Sequence, residues 1–152
     1  MNFDLTKISS KKFWFGLFVT NLVLRVATFY TSFLDIDETQ FAGFAHVLMN
    51  GGRPYLDSLD TKPLGIYFFY RLCFEIFGRY NMAAIHAVTA LLFFCGAYLL
   101  SRIFCRFDRK VEGRWAAVFF IVASTTFIPK YLATSINSVM VFFLILSAWG
   151  AA

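Results

Sequence analysis

Long apolar runs, divided by short clusters of basic residues, set the pattern of this chain. Phe13 to Phe33 is apolar except for Arg25, and Met82 to Phe104 is apolar with His86 near its start and Arg102 near its end. Trp115 to Ile128 carries no charge and is closed by Pro129 and Lys130, and Leu132 to Ala152 is apolar to its last residue. A helix that crosses a bilayer needs roughly 20 mostly apolar residues. The pattern predicts an all-α integral membrane protein, a single membrane domain over 1–152, with about four spans at 13–33, 82–104, 115–128 and 132–152. The third is kept in spite of its length because it is free of charge and has a basic flank.

The stretch 34–80 reads differently. Glu38 to Met49 sets Phe41, Phe44, Ala45, Leu48 and Met49 on one helical face, the pattern of a helix lying in a membrane surface. Asp37 stands where an N-cap would, with Gln40 three residues later as in a capping box. Asn50-Gly51-Gly52 supplies the stop. After the polar segment Arg53 to Thr61, Pro63 opens a second helix at its favoured first position. That helix, Leu64 to Gly78, is apolar, but 15 residues rise only about 22 Å, short of a roughly 30 Å hydrocarbon core. With Arg71 and Glu75 at i,i+4 it reads as a second interfacial helix.

Charge gives the pattern a direction. Lys7, Lys11 and Lys12 precede the first span, and Arg102, Arg106, Arg109, Lys110 and Arg114 surround the turn after the second. Lys and Arg in short loops mark the cytoplasmic side. The N-terminus is therefore expected in the cytoplasm and the loop 34–80 on the outer, periplasmic or extracellular, face. That loop is richer in acids (Asp35, Asp37, Glu38, Asp57, Asp60, Glu75) than in bases (Arg53, Lys62, Arg71, Arg79). The net charge of +5 does not indicate nucleic acid, because the basic residues sit at the ends of apolar runs and form no face of their own. Charged residues are 15% of the chain, against roughly a quarter in soluble domains, which favours lipid as the solvent. The three cysteines, Cys73, Cys95 and Cys105, have no CxxC spacing and support neither a disulfide frame nor zinc. His46 and His86 are far apart and read as polar positions on helices. Arg25, expensive in lipid, is expected to face a partner or a cavity. No GxGxxG, P-loop, GxSxG or HExxH is present.

Four short motifs follow one another in this loop: the acidic pair Asp37-Glu38, the turn Gly51-Gly52-Arg53-Pro54-Tyr55, the step Lys62-Pro63, and Phe77-Gly78 ending the apolar helix. In this order, after a basic N-terminus and one span, they resemble the N-terminal part of the GT-C glycosyltransferases. The branch is that of the protein O-mannosyltransferases and the lipid A aminoarabinose transferases, and the resemblance covers about residues 10 to 150. It implies an enzyme that takes a sugar from a polyprenyl-phosphate carrier and passes it to an acceptor at the outer membrane face. Such chemistry needs a carboxylate to take the acceptor's proton and cations where the lipid phosphate leaves. The resemblance implies that Asp37 is the base with Glu38 beside it, and that Lys62 and Arg53 face the phosphate.

Other readings stand beside these. Asp37 serves as an N-cap with or without catalysis, Lys62 suits a surface near anionic headgroups, and Arg53 suits a structural place in a glycine turn. Asp35, Asp37 and Glu38 are hard oxygen ligands that a divalent cation would accept, but the resemblance implies no metal or other cofactor beyond the lipid-linked donor. Phe41 and Phe44 stand where relatives often have a Tyr. Where relatives open the fourth span with a further acid or an Asn, only Asn137 corresponds. Relatives also have many more spans, so a chain ending in the apolar run at Ala151-Ala152 resembles the front portion of a longer enzyme, with inactivity on its own one expectation and other membrane helices as its partners. Two competing classes are a non-catalytic membrane subunit that binds a lipid-linked sugar or a partner protein, and a small transporter.

Overall fold

The computed structural model describes residues 9–32, 34–57, 62–125 and 136–151. Helices α1 (Ser10–Leu24), α2 (Ile36–Met49), α3 (Leu64–Phe77), α4 (Met82–Arg106), α5 (Lys110–Ser124) and α6 (Ile136–Ala151) carry the fold, with a 3-10 turn at Val26–Phe29. No strand occurs among the described residues. Among the described residues one helix, α4, is long and apolar enough to cross a membrane: it has 25 residues and a mean hydropathy of 2.0. Within α6, Val139–Ala151 is a shorter apolar helix. The end of the third expected span and the start of the fourth lie outside the described residues.

The first expected span is not one continuous helix. Ser9 caps α1 by accepting from the Lys12 N–H at 3.4 Å, and the helix runs only to Leu24 before the chain tightens into the 3-10 turn. The break falls at Arg25, whose side chain is 1% exposed. Its Nη2 donates to the Ser124 carbonyl at the end of α5, 3.0 Å away, and its guanidinium lies 4.4 Å above the centre of the Phe93 ring. A buried cation must find acceptors, and the expectation that Arg25 faces partners fits this placement.

Two clusters form the interior. In the first, Phe41, Ala45 and Leu48 of α2 pack on Ile66, Tyr67, Tyr70 and Phe74 of α3 and on Met82 and Ile85 at the start of α4. In the second, Phe13 and Leu17 of α1 pack on Phe93 and Ala97 of α4 and on Ala117 and Ile121 of α5. Helix α4 therefore joins the two. It meets α5 closely because Gly113 has no side chain: a Cβ there would lie 2.8 Å from the Ser101 carbonyl oxygen and 2.9 Å from the Phe104 Cβ.

The boundaries of the loop helices follow local chemistry. Helix α2 ends in a Schellman arrangement, with Gly51 at φ 82°, the Gly51 N–H on the Leu48 carbonyl and the Gly52 N–H on the Val47 carbonyl. This is the pattern in which a left-handed residue turns the chain back on the last carbonyls. Helix α3 starts at Leu64, so Pro63 occupies the N-cap position and not the first helical one, with an extended ψ of 137°. Gly78, at φ 102°, ends it.

Candidate functional site

The N-terminus of α2 differs from the expectation. Its N-cap is Asp35, two residues before Asp37, and the Asp35 side chain makes no capping bond. The frame that folds is Asp35-Ile36-Asp37-Glu38, with Glu38 at the third helical position. From there its Oε2 accepts from the Leu34 backbone N–H at 2.8 Å, reaching back over the helix start much as the acid of a capping box does. Asp37 is left in the first turn with its side chain free of capping duty and directed elsewhere.

Asp37 meets Lys62. The Lys62 ammonium lies 2.7 Å from Asp37 Oδ1, and each side chain is 30% exposed. The same ammonium sits 5.0 Å from the centre of the Phe41 ring, within reach of a cation–π attraction. Tyr55 anchors the chain at Lys62: its hydroxyl donates to the Lys62 carbonyl at 2.8 Å. Tyr55 holds φ 62°, a backbone region that bulky residues seldom adopt, so the Pro54-Tyr55 turn is shaped to reach Lys62. The second and third sequence motifs are in this way tied to each other.

Arg53 does not join this pair. Its backbone N–H donates to Asp57 Oδ2 at 2.6 Å, and its side chain, 73% exposed, lies 3.8 Å from the same carboxylate. Glu38 also faces away from Lys62. It is fully buried, and its Oε1 lies 3.1 Å from Nε2 of His86, itself 1% exposed. His86 Nδ1 lies 2.6 Å from the Thr28 carbonyl. The adjacent acids Asp37 and Glu38 therefore have separate settings, one half-open beside a cation and one sealed against a histidine.

His86, Thr28 and Tyr55 were not singled out by the sequence as site residues. A histidine in an apolar helix is the available signal for the first; Tyr55 stands in the glycine-turn motif but without an assigned role, and nothing local points to Thr28. His46 contacts Asn50, with Nε2 3.0 Å from Nδ2, and its ring packs 5.1 Å from that of Tyr80. Burial pushes the Cys73 thiol up to about 11, which makes it a packing residue and no nucleophile. Among the described residues, no three His, Cys, Asp or Glu side chains converge as a metal site would require. The Asn137 side chain lies outside what is described.

Fold and site together define an all-helical protein in which, among the described residues, one helix is apolar and long enough to cross a bilayer and a partly exposed carboxylate–ammonium pair joins the start of α2 to the residues before α3. Compared with family models, with curated proteins and with solved structures, the chain matches none.

Proposed function

We propose that the chain is the N-terminal part of a membrane glycosyltransferase that moves a sugar from a polyprenyl-phosphate donor to an acceptor at the outer face of the cell membrane. Four spans, a cytoplasmic N-terminus and an outer loop 34–80 with two interfacial helices belong to this reading. The observation that carries it is the 2.7 Å contact between Asp37 and Lys62. These residues, 25 positions apart, are the ones the resemblance casts as base and phosphate ligand.

In the proposed reaction an Asp37 carboxylate oxygen takes the proton of the acceptor hydroxyl as the hydroxyl oxygen attacks the anomeric carbon. The bond from that carbon to the phosphate oxygen breaks, and its electron pair leaves with the lipid phosphate. The Lys62 ammonium, with three donors, offsets the charge that develops on the leaving phosphate while it still neighbours Asp37. Phe41 flanks the ammonium and limits its range. Arg53, held by Asp57, has the smaller part, and Glu38 supports the helix that carries the base.

The contact also favours a second reading, a non-catalytic membrane subunit that binds a lipid-linked sugar, because an Asp37 oxygen is already occupied by an ammonium. Both readings require lipid-phosphate binding at Lys62, which is testable with geranylgeranyl phosphate titrated into purified protein in detergent. Lys62→Ala is expected to weaken binding by about tenfold, the scale of one lost charge-assisted hydrogen bond. Arg79→Ala removes the same charge from the same loop and is expected to change it less than about twofold. Equal losses, both erased by salt, would sink both readings. Transfer by an Asp37→Asn variant at the wild-type rate would leave only the binding subunit. Cysteine labelling that put Asp57 in the cytoplasm would place the pair in the wrong compartment.

A further inference from the structure

The proton count at the buried pair leads further. A carbonyl oxygen can only accept, so His86 Nδ1, 2.6 Å from the Thr28 carbonyl, carries a proton. His86 Nε2 then faces a carboxyl oxygen at 3.1 Å, and both atoms would be acceptors unless a second proton lies between them. Whether that proton sits on nitrogen or on oxygen, the pair is neutral as a unit. Without it, two acceptors would face each other where neither is reached by water, a costly arrangement.

This pair ties three segments together. Glu38 belongs to the first turn of α2 and also binds the Leu34 N–H. His86 lies near the start of α4, and Thr28 lies in the 3-10 turn after α1, where its hydroxyl donates to the Arg25 carbonyl at 2.7 Å. The first turn of α2 gets no side-chain bond from its N-cap; Glu38 supplies the polar hold on that turn, ahead of the packing of Phe41 and Ala42 in the core. Consecutive helix residues point about 100° apart. Holding Glu38 inward at a fixed angle therefore sends Asp37 to the half-open side, where Lys62 stands.

We infer that His86 is a positioning residue: it shares a proton with Glu38 inside the protein, and the pair sets the rotation of α2 that brings Asp37 to Lys62. The importance of that placement rests on the proposed function, but the placement itself is open to a test that needs no substrate. A water-soluble carbodiimide joins a carboxylate to an amine only when they touch. Applied to the full chain in detergent, it should give an Asp37–Lys62 isopeptide link, mapped by mass spectrometry.

His86→Ala leaves Glu38 without its ring partner and should lower the yield of this link about tenfold. Glu38→Asp keeps the carboxyl group but is one methylene too short to hold both Leu34 and His86, and should lower it similarly. Glu38→Gln is the rescue: its carbonyl accepts from Leu34 and its amide donates to His86 Nε2, so it should keep the link within about twofold of wild type. General loosening of the fold would not spare the glutamine variant alone. Should His86→Ala fail to accumulate, the Glu38→Asp and Glu38→Gln comparison decides. Wild-type yield in Glu38→Asp, or loss in Glu38→Gln equal to that in Glu38→Asp, would overturn the inference. Neither result bears on lipid-phosphate binding at Lys62, so this inference and the proposed function fail separately.

Discussion

In the segment 34–80 the partly open charged side chains meet one another, whereas in the bundle around α4 the buried Asn21 and Arg25 turn to backbone carbonyls. The sealed Glu38–His86 pair joins the two regions. Lys62 meets Asp37, Arg53 meets Asp57 and Arg71 meets Glu75, all with part of their surface open. In the bundle, Asn21 donates from Nδ2 to the Ala90 carbonyl at 2.9 Å and Arg25 donates to that of Ser124, both nearly sealed from solvent. The outward faces differ less: Phe15 and Phe119 of the bundle are 70% and 75% exposed, and α3 shows Phe68, Leu72 and Ile76. A helix apolar on every side suits either a deep core or lipid. The difference therefore lies in what the polar groups do. Partly open pairs can exchange partners and hold a ligand, while groups on carbonyls fasten one helix to the next.

The largest expected effect falls on the segment 34–80. Phe41 is fully buried, packs against Tyr67 and Tyr70 and lies beneath the Lys62 ammonium. Phe41→Ala should cost about 4 kcal/mol, read from denaturant unfolding in detergent by circular dichroism. The carbodiimide link between Asp37 and Lys62 should fall with it. A Phe41→Ala protein that unfolds like wild type would show that the segment does not depend on its own core, and the contrast with the bundle would lose its basis.

Next in size is the contact that holds the bundle. Gly113→Ala gains helix propensity of roughly 1 kcal/mol, but its Cβ would press on the Ser101 carbonyl and the Phe104 Cβ. Overpacking of this kind costs about 1–3 kcal/mol, and since a backbone carbonyl cannot swing aside the cost wins. A net loss of about 1 kcal/mol is expected, with the Asp37–Lys62 link intact. Loss of that link in Gly113→Ala would mean that the two regions are coupled through α4 and not separable.

How far these regions were legible in the sequence follows the range of the forces. Both ends of α3 were marked by Pro63 and Gly78, and the stop of α2 by Asn50-Gly51-Gly52, because turns and caps are local. The start of α2 was missed by two residues. Asp35-Ile36-Asp37-Glu38-Thr39-Gln40 offers two overlapping acid-x-x-acid/amide frames, and the choice between them is made by His86, 48 positions away. The break of α1 at Arg25 was hidden for the same reason, since the accepting carbonyl of Ser124 is 99 positions away. Asp37 and Lys62 were named through a resemblance, and no spacing rule says that they touch. Tyr55, which fixes Lys62 through its backbone, was marked only as the end of the glycine-turn motif; its contact with Lys62 rests on a left-handed residue that the sequence does not announce.

A smaller effect of opposite sign is expected at Asn21. Its Oδ1 has no hydrogen-bond partner among the described residues, while the Ala90 carbonyl that it binds lies inside α4 and has a helical partner of its own. Asn21→Leu removes a half-satisfied buried group, and replacing such a group by an apolar one of similar shape is near neutral or stabilising. The change should lie between zero and about 1 kcal/mol of added stability on the same unfolding assay. A loss above that size would mean that the amide orders the contact between α1 and α4 and is not a residual cost.

The smallest expected effect sharpens the comparison most, because it asks what the outer face of α3 touches. Arg71 Nε lies 2.7 Å from Glu75 Oε1, with the side chains 38% and 43% exposed, between the exposed Phe68, Leu72 and Ile76. An i,i+4 pair open to water contributes about 0.3–0.5 kcal/mol, because the ions are well solvated apart. The same pair against hydrocarbon would contribute far more, since losing one partner leaves the other charge poorly solvated. Arg71→Ala is expected to change stability by about 0.4 kcal/mol in small detergent micelles, and added salt should erase most of that. The measurement is then repeated in lipid nanodiscs, where an interfacial α3 would press its apolar stripe, and the ion pair set within it, against the acyl chains. There the loss should grow, and Arg71→Leu paired with Glu75→Leu should restore stability by removing both charges together. Equal, salt-sensitive losses in micelles and nanodiscs would place this face in water and leave α3 an ordinary packed helix, with its exposed Phe68 and Leu72 still to be covered by protein.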